Sequence, residues 1–337
     1  MLPQPRAMQV VEFDGARALA DEVLRSPVPL LLRGLVSRWP AVKAGLGSVT
    51  EGAAYLQRFY SGQPLTAYLT DAASGGRFFY NDECTGFNFR SGTATLRQVL
   101  DHIEAHLADD TPPAVYVGST MLDRWFPGFT AENDIGIAPL GPLASVWIGN
   151  RTRVSAHYDF PSNIACNVMG RRRFTVFPPE ALPDLHFGPL DVTPSGQSIS
   201  LVDFAAPDLT RHPRFPQALA VAQVAELEPG DAIYLPSMWI HHVEALGALN
   251  VLVNYWWCES PAWMGAPSNA LQHALLSIRD LPPEQRRIWK ALFDHYVFDP
   301  SPDVVEHIPE AGRGVLAPLT AESARRIRSY LMNRLNQ

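Results

Sequence analysis

Cysteine is scarce in this chain: only three occur among 337 residues, and Cys84, Cys166 and Cys258 are widely spaced. An odd number at such spacing argues against a disulfide framework and against a structural zinc site, so we expect free thiols in a reducing compartment. Long hydrophobic runs are also missing, since no apolar stretch approaches the ~18 residues that span a bilayer. The first ten residues lack the apolar stretch of a secretory signal. These absences predict a cytoplasmic protein that does not enter a membrane.

An excess of basic residues is missing as well. Lys and Arg number 27 against 34 Asp and Glu, which gives a net charge of −7 and a pI near 5.8. Nonspecific nucleic-acid binding needs a basic footprint, so this balance argues against nucleic acid as a partner. Apolar residues make up 47% of the chain. That is enough to bury a large core, either in one large domain or in one domain with an appendage.

The pattern of the chain changes twice along its length. Residues 1–110 mix helical and strand patterns, whereas residues from about 114 to 257 carry short strands separated by Gly, Pro, Asn and Asp clusters. Short, evenly separated strands are typical of a β-sandwich or small barrel. Beyond residue 261 the apolar spacing becomes helical. We therefore predict a mainly β domain with flanking helices over 1–260, followed by a C-terminal helical region over 261–337.

Pairs of a histidine and an acidic residue two positions later are candidate metal ligands. With ten histidines in the chain, roughly one such pair is expected by chance. Three are present: His102 with Glu104, His157 with Asp159, and His242 with Glu244. The first pair lies in residues 95–107, where apolar residues follow helical spacing, so its side chains point about 200° apart and cannot share a metal. Side chains two positions apart on a strand share a face, so the other two pairs remain candidates.

A histidine much later in the chain completes a known ligand set. Two imidazoles and one carboxylate on one face of a metal, with the other positions open, hold Fe(II) in non-haem oxygenases. His157 and Asp159 would supply one imidazole and the carboxylate, and either His241 or His242 would supply the second imidazole. Strand geometry alone does not choose between these two neighbours, because adjacent residues of a strand point to opposite faces.

Several ordered blocks of sequence resemble one protein family. They are WIGNRTRVSAHYDFPSN (147–163), GRRRFTVFPP (170–179) and PGDAIYLPSMWIHH (229–242), preceded by PLLLRG (29–34) with Trp39-Pro40. Together they resemble the cupin-like JmjC oxygenases, most closely the asparaginyl hydroxylases of the factor-inhibiting-HIF type. The resemblance implies a double-stranded β-helix, which is a jelly-roll barrel with an iron site at its mouth. It also implies a C-terminal helical appendage, through which some family members dimerise, and so predicts a homodimer.

The resemblance implies a role for each residue of the candidate triad. His157, Asp159 and His241 would hold Fe(II), because the family's Pro-x-x-Trp-x-His pattern ends at His241. His242 would then face away from the metal as a packing or surface residue. The family uses 2-oxoglutarate as co-substrate together with O2, so the resemblance predicts both for this chain.

The residue that would bind the far carboxylate of 2-oxoglutarate departs from the family pattern. The family usually has a lysine two residues after the glycine of the second block, and this chain has Arg172. Arginine keeps a permanent charge and offers a bidentate fork for a carboxylate. On a strand, Arg172 would share a face with Phe174 and Val176. The alternative is that the three arginines at 171–173 form a solvated basic stripe.

Three further positions, Tyr116, Asn163 and Asn254, match residues that line the family's co-substrate site. Trp256 shares a strand face with Asn254 and would form a wall of the same site. Each also has an ordinary alternative as a packed or hydrogen-bonded residue of a core strand. Val154 stands where the family often has a threonine, so that hydrogen bond is either missing or supplied by Thr152 or Ser155.

Three functional hypotheses follow. The first is an Fe(II)- and 2-oxoglutarate-dependent dioxygenase that hydroxylates a side chain of a protein or peptide. The second is a nucleic-acid hydroxylase, as in the tRNA-modifying relatives of the family, which a basic groove beside the iron would favour. The third is a noncatalytic metal-binding cupin, which a cavity without room for 2-oxoglutarate beside Arg172 would favour. Lysine demethylation would require a cage for a methylammonium group, and no sequence feature marks one.

Overall fold

The computed structural model describes residues 2–15, 18–194 and 196–336 of the chain. Two compact units are present, Met1–Cys258 and Glu259–Gln337. Strands dominate the first unit, whereas the described elements of the second unit are helices. Within these described ranges, no helix combines the length and the apolar character needed to cross a membrane.

The described strands all lie in the first unit. They are β1 Arg6–Ala7, β2 Val10–Glu12, β3 Leu30–Arg33, β4 Leu65–Thr70, β5 Arg77–Phe78, β6 Arg90–Ala94, β7 Ala114–Met121, β8 Leu143–Gly149, β9 Arg153–Tyr158, β10 Ser162–Met169, β11 Arg172–Phe177, β12 Gln223–Leu227, β13 Ala232–Leu235, β14 Ile240–Ala245 and β15 Asn250–Trp257.

The α-helices of the first unit flank these strands, and those of the second unit follow them. They are α1 Asp21–Leu24, α2 Pro40–Gly47, α3 Val49–Phe59, α4 Leu96–Ala105, α5 Leu122–Trp125, α6 Phe129–Glu132, α7 Phe215–Val221, α8 Pro267–Ser277, α9 Pro283–Phe293, α10 Asp303–Glu306 and α11 Ala321–Leu335. A π-helical turn, Asp294–Phe298, continues α9.

The strands form two sheets, which confirms the predicted mainly β architecture with flanking helices. A six-stranded sheet has the order β1-β12-β11-β14-β9-β5, and a nine-stranded sheet has the order β2-β3-β13-β10-β15-β8-β7-β4-β6. The neighbouring strands β9, β14 and β11 pair antiparallel, as do β13, β10, β15 and β8 in the larger sheet. The chain crosses from one sheet to the other in the turn between β10 and β11, at Gly170. That residue has a φ of +72°, and a Cβ there would lie 2.6 Å from the carbonyl oxygen of Leu249, so only glycine fits without strain.

Three apolar clusters form the layers of the first unit. Helices α2, α3 and α4 pack on the outer face of the nine-stranded sheet, through residues such as Leu56 and Ile103. A second cluster, which includes Phe174 and Val243, lies between the sheets. The third cluster covers the outer face of the six-stranded sheet and includes Phe215 of α7. The central strand β10 is therefore buried on both faces, which explains its nearly unbroken burial.

Helix α4 confirms the helical interpretation of residues 95–107. Thr95 accepts a hydrogen bond from the Gln98 amide, and the Gln98 side chain accepts one from the Thr95 amide, so the helix begins with a capping box. The His102 ring lies 3.2 Å from the carbonyl oxygen of Pro113, while Glu104 faces Arg97 at 3.7 Å. The first histidine–acid pair is thus split between two directions, as the helical geometry predicts.

Candidate active site

Three metal-ligating side chains converge where β9 and β14 lie side by side. His157 in β9 and His241 in β14 are register partners, and Asp159 follows the last residue of β9. One ligand atom from each of the three side chains lies within 4.8 Å of the other two. Nε2 of His241 is 3.8 Å from Oδ2 of Asp159, and the two imidazole centroids are 4.3 Å apart. The structure therefore brings the sequence-predicted triad together, although Asp159 lies just beyond the strand instead of within it.

Backbone carbonyls orient the two imidazoles of this triad. Nδ1 of His157 is 3.0 Å from the carbonyl oxygen of Ser155, and Nδ1 of His241 is 3.0 Å from that of Trp239. A carbonyl only accepts, so each Nδ1–H donates, and in a neutral ring the lone pair then lies on Nε2. Burial, and then the neighbouring His157, lower the pKa of His241 to about 4. His241 is therefore neutral at pH 7, the state in which an imidazole binds a metal.

His242 lies on the opposite face of β14. It is buried, and its ring stacks on Phe204 with centroids 4.2 Å apart and an interplanar angle of 23°. Burial, followed by the charges of Arg153 and Arg77, lowers the pKa of His242 to about 3. Neither of its ring nitrogens has a hydrogen-bond partner among the described residues. Of the two neighbouring histidines that strand parity left open, only His241 faces the same side as His157.

The triad opens into a cavity of about 490 Å³. Its lining comes from β5, β9, β11 and β14 of the six-stranded sheet, from β4, β7, β8, β10 and β15 of the nine-stranded sheet, and from adjoining loops. Among the described lining residues, only Asp159 and Arg172 carry a formal charge when the histidines are neutral. A molecule in this cavity would therefore meet one metal-ligating carboxylate, one guanidinium, and otherwise aromatic, apolar or neutral polar side chains.

Arg172 brings a buried positive charge into the cavity. The residue is 4% exposed, and its guanidinium makes no hydrogen bond or ion pair with any described residue. Burial lowers the pKa of Arg172 to about 10, so the group is charged at neutral pH. An isolated buried charge is costly, and such groups in proteins are normally paired or hydrogen-bonded. The arrangement is therefore chemically suited to an anionic ligand.

The three neighbouring arginines do not form a basic stripe. Arg172 points into the cavity, whereas Arg173 lies on the other face, where it bonds Glu226 at 2.6 Å and approaches Glu244 at 3.7 Å. Arg171 is exposed. The strand alternation that the sequence predicted for Arg172 and Phe174 is present, since both line the cavity.

The four other predicted co-substrate residues also line the cavity. They are Tyr116, Asn163, Asn254 and Trp256. Burial raises the pKa of Tyr116, and the neighbouring Arg172 opposes that rise. Asn163 and Trp256 are cross-strand partners in β10 and β15. Oδ1 of Asn163 and Nε1 of Trp256 are sealed from solvent without a partner in the described part of the chain. Unpaired polar atoms of this kind, on residues that line the same cavity as Arg172, fit a polar ligand better than a dry core.

Val154 faces the cavity, where the family often has a threonine. Thr152 and Ser155, the two residues that could replace the missing hydroxyl, also line the cavity. Both hydroxyl groups are therefore available to a ligand in the cavity.

The sequence analysis assigned no role to several aromatic residues of the cavity. Tyr68, Phe78 and Phe89 form one wall, in which Phe89 contacts the other two rings with centroids 5.6 and 5.5 Å apart. Trp147 lines the cavity as well and donates a 2.7 Å hydrogen bond to Oδ1 of Asn254. The only sequence signal for Trp147 was its place at the start of the 147–163 block. No sequence motif pointed to Tyr68, Phe78 or Phe89.

Comparison with family models and known proteins gives consistent matches. A model described as "Cupin-like domain" matches residues 16–262, which confirms the predicted fold class. The "Lysine-specific demethylase JMJ31" of Arabidopsis thaliana is 35% identical over 33% of this chain and 20% of that protein. The human "Bifunctional peptidase and (3S)-lysyl hydroxylase JMJD7" is 25% identical over 68% of this chain and 77% of that protein.

A third relative bears a name from RNA modification. The "tRNA wybutosine-synthesizing protein 5" of Gallus gallus is 31% identical over 39% of this chain and 42% of that protein. The matched region is thus about a fifth of the plant relative and less than half of the avian one. The names of these relatives point to more than one substrate class, so substrate assignment has to come from the site itself.

Proposed function

Since this chain belongs to the family of cupin-like domains and has JmjC-type relatives, we propose that it is an Fe(II)- and 2-oxoglutarate-dependent dioxygenase that hydroxylates a side chain of a protein or peptide. One observation carries the proposal. The His157, Asp159 and His241 triad shares a cavity with Arg172, a buried guanidinium that has no partner among the described residues. A metal site and an unpaired cation in one cavity match an anionic co-substrate that also chelates the metal.

His157, Asp159 and His241 would hold the metal, and their chemistry fits Fe(II). Two neutral imidazoles and one carboxylate are the facial ligand set of non-haem iron oxygenases, and they leave the remaining positions for co-substrate and O2. When bound, iron would supply the oxidation in which 2-oxoglutarate and O2 become succinate and CO2 while one oxygen atom enters a C–H bond. The carbonyls of Ser155 and Trp239 hold the two imidazoles in the ligating tautomer.

Arg172 would bind the far carboxylate of 2-oxoglutarate. Its planar fork can donate two parallel hydrogen bonds, and the carboxylate would neutralise its buried charge. Tyr116 is available as a second donor, because its hydroxyl stays protonated far above neutral pH. Val154 has no hydroxyl, so the hydrogen bond that the family's threonine makes would come from Thr152 or Ser155. The surrounding aromatic and apolar lining would keep water away from the reacting centre.

The cavity favours the enzyme over a noncatalytic cupin. The noncatalytic alternative predicted intact metal ligands without space beside Arg172. Instead, Arg172 lines a cavity of about 490 Å³ together with the triad, and Nε1 of Trp256 is left unpaired there. An enclosed space with several unsatisfied polar atoms is the surrounding that a bound co-substrate would complete.

A protein side chain is favoured over a nucleic acid and over a methylated lysine. The described cavity lining contains a single cation, Arg172, which the co-substrate would use, and the chain carries a net charge of −7. The ring of Phe89 contacts those of Tyr68 and Phe78, so these three rings form a wall and leave no cage for a methylammonium group between them. The finer resemblance to asparaginyl hydroxylases and the cytoplasmic location stay predictions.

The C-terminal unit carries the proposal of a homodimer. Its helical segments expose large apolar side chains, including Leu276 at 74%, Phe298 at 67% and Met332 at 63%. Apolar exposure on this scale is typical of an interaction surface. Ending the chain after Pro261 should convert a dimer to a monomer, and the mass in solution measures this. A truncated protein that is still a dimer, judged from its mass relative to that of the shortened chain, would rule out dimerisation through these helices.

Turnover of 2-oxoglutarate tests the proposed activity. The protein with Fe(II), O2 and 2-oxoglutarate should release succinate slowly even without a protein substrate, and His157→Ala should lose that release. His102→Ala is the matched control, because His102 is a half-buried histidine on α4 outside the cavity. Wild-type protein that neither binds 2-oxoglutarate nor releases succinate would refute the proposed function.

A further inference from the structure

The hydrogen bond between Trp147 and Asn254 fixes the direction of a buried amide. Nε1 of Trp147 lies 2.7 Å from Oδ1 of Asn254, and the Asn254 side chain is 1% exposed. An indole N–H can only donate, so the atom that faces it must be the amide oxygen. The Nδ2 end of Asn254 therefore points elsewhere. It has no hydrogen-bond partner among the described residues, although Asn254 lines the cavity.

Trp147 is itself held in place by its neighbours in the cavity wall. Its ring stacks on Tyr116, with centroids 5.7 Å apart and an interplanar angle of 30°. It meets Trp256 edge-on at 5.7 Å and 88°. Gly118 provides the space for the indole, because a Cβ at that position would lie 2.9 Å from Cζ3 of Trp147. With two aromatic neighbours and a glycine behind it, the indole cannot turn its N–H away from Asn254 without leaving this packing.

We propose that Trp147 is a positioning residue for the co-substrate: it orients Asn254 so that the amide N–H2 donates to a carboxylate of 2-oxoglutarate. The inference rests on the proposed function. Without the indole N–H, the Asn254 amide can turn over and present its oxygen to the carboxylate, which repels it. Trp147 thus decides whether Asn254 attracts or repels an anion, and it does so without touching the anion through its own N–H.

The first test is the dissociation constant of 2-oxoglutarate in the presence of Mn(II), measured by titration calorimetry. Trp147→Phe keeps an aromatic ring at this position and removes the N–H together with the five-membered part of the indole, and it should raise this constant roughly five- to tenfold, the range of one hydrogen bond. Trp125→Phe is the matched control, since the Trp125 N–H donates to the carbonyl oxygen of Pro64 at 3.1 Å outside the cavity. Equal affinity in Trp147→Phe and the control would overturn the inference.

A double-mutant cycle separates positioning from packing. If Trp147 acts through Asn254, Trp147→Phe should weaken 2-oxoglutarate binding no further once Asn254→Leu is present. If the two effects multiply, Trp147 supports the cavity only by packing, and the inference is wrong. Thermal unfolding of each variant confirms that the compared proteins are folded.

A variant that leaves Trp147 intact gives an independent test. Asn254→Asp can still accept from the indole, but it presents a charged oxygen to the cavity in place of N–H2, so it should bind 2-oxoglutarate at least tenfold more weakly than Asn254→Leu. Equal affinity in the two variants would contradict the inference even if Trp147→Phe did not fold. Wild-type protein that fails to bind 2-oxoglutarate would refute the proposed function and the inference together, whereas normal wild-type binding with unaffected variants would refute the inference alone.

Discussion

Arginine side chains are buried at two sites in the described part of the first unit. At one site the charge has no protein partner, and at the other it is paired with a carboxylate. In the cavity, Arg172 is 4% exposed and has no partner among the described residues. Outside it, Arg77 and Arg153, with 15% and 20% of their side chains exposed, share the carboxylate of Asp203. Arg153 bonds Asp203 at 2.7 Å, and Arg77 approaches it at 3.8 Å. We call Arg77, Arg153 and Asp203 the Asp203 cluster.

Backbone carbonyls complete the Asp203 cluster. Arg153 donates to the carbonyls of Ser74 and Gly75, and Arg77 donates to those of Leu201 and Val202. The cluster thereby ties the start of β5 and β9 to the segment around residue 201. Its partners are all within the protein, so its role is structural. Arg172 lacks such partners, and the difference teaches that a missing partner, not burial alone, marks the arginine that is suited to a ligand.

Replacing Arg172 should produce the largest effect, and this effect should be on 2-oxoglutarate affinity and not on stability. Arg172→Met keeps an unbranched side chain and removes its charge, so 2-oxoglutarate affinity should fall by about a hundredfold or more, while stability in the absence of ligand stays level or rises. Calorimetric titration and urea unfolding measure the two quantities. Large destabilisation with unchanged binding would mean that Arg172 has a structural role, like the arginines of the Asp203 cluster.

Breaking the Asp203 cluster should give the reverse result. Asp203→Asn leaves two partly buried guanidinium groups without their carboxylate, and the free energy of unfolding should fall by about 2 kcal/mol, less than for a fully buried pair because solvent screens the cluster. Affinity for 2-oxoglutarate should change by less than about twofold. Urea unfolding and calorimetry test both parts, with Asp208→Asn, whose side chain bonds only nearby backbone amides, as the matched control.

The pH dependence of this destabilisation provides its own check. Burial raises the pKa of Asp203, but the Ala205 amide and the charges of Arg77 and Arg153 outweigh it, so the pKa lies below its ordinary value. A carboxyl group with a depressed folded-state pKa stabilises the fold above its unfolded-state pKa and loses that contribution as pH falls through the folded-state value. The stability difference between wild type and Asp203→Asn should therefore be full near pH 7 and shrink below about pH 4. A constant difference across that range would mean that ionic pairing is not its cause.

His242 should give the smallest effect and the sharpest contrast with its neighbour. His242→Leu removes a buried neutral ring whose two nitrogens lack partners in the described chain, so stability should change by at most about 1 kcal/mol. Metal affinity, measured with Mn(II) by titration calorimetry, should be preserved. His241→Leu should abolish it. Loss of metal affinity in His242→Leu would mean that the outer face of β14 also serves the metal site.

Individual helices and strands, and the pairing of His157 with Asp159, could be predicted because those signals are local. The capping box and apolar spacing of α4 lie within a dozen residues of one another, and strand alternation alone predicted that Arg172 and Phe174 would share a face. The choice of His241 over His242 came from a resemblance, and the register of β14 with β9 gives its physical basis, since His241 is the residue opposite His157.

The sequence by itself determined which residue types are present and which of them alternate on a strand: the two imidazoles and the carboxylate, the arginine at 172, and the mainly β pattern around them. Only the tertiary structure decided which polar groups find partners. Asp203 meets Arg153 across 50 residues of chain, and Trp147 meets Asn254 across 107. Hydrogen bonds and desolvation depend on distances of a few ångströms between strands that are far apart in sequence. For that reason, residue type alone does not separate the paired arginines from the unpaired one, and only the folded protein shows which arginine has partners.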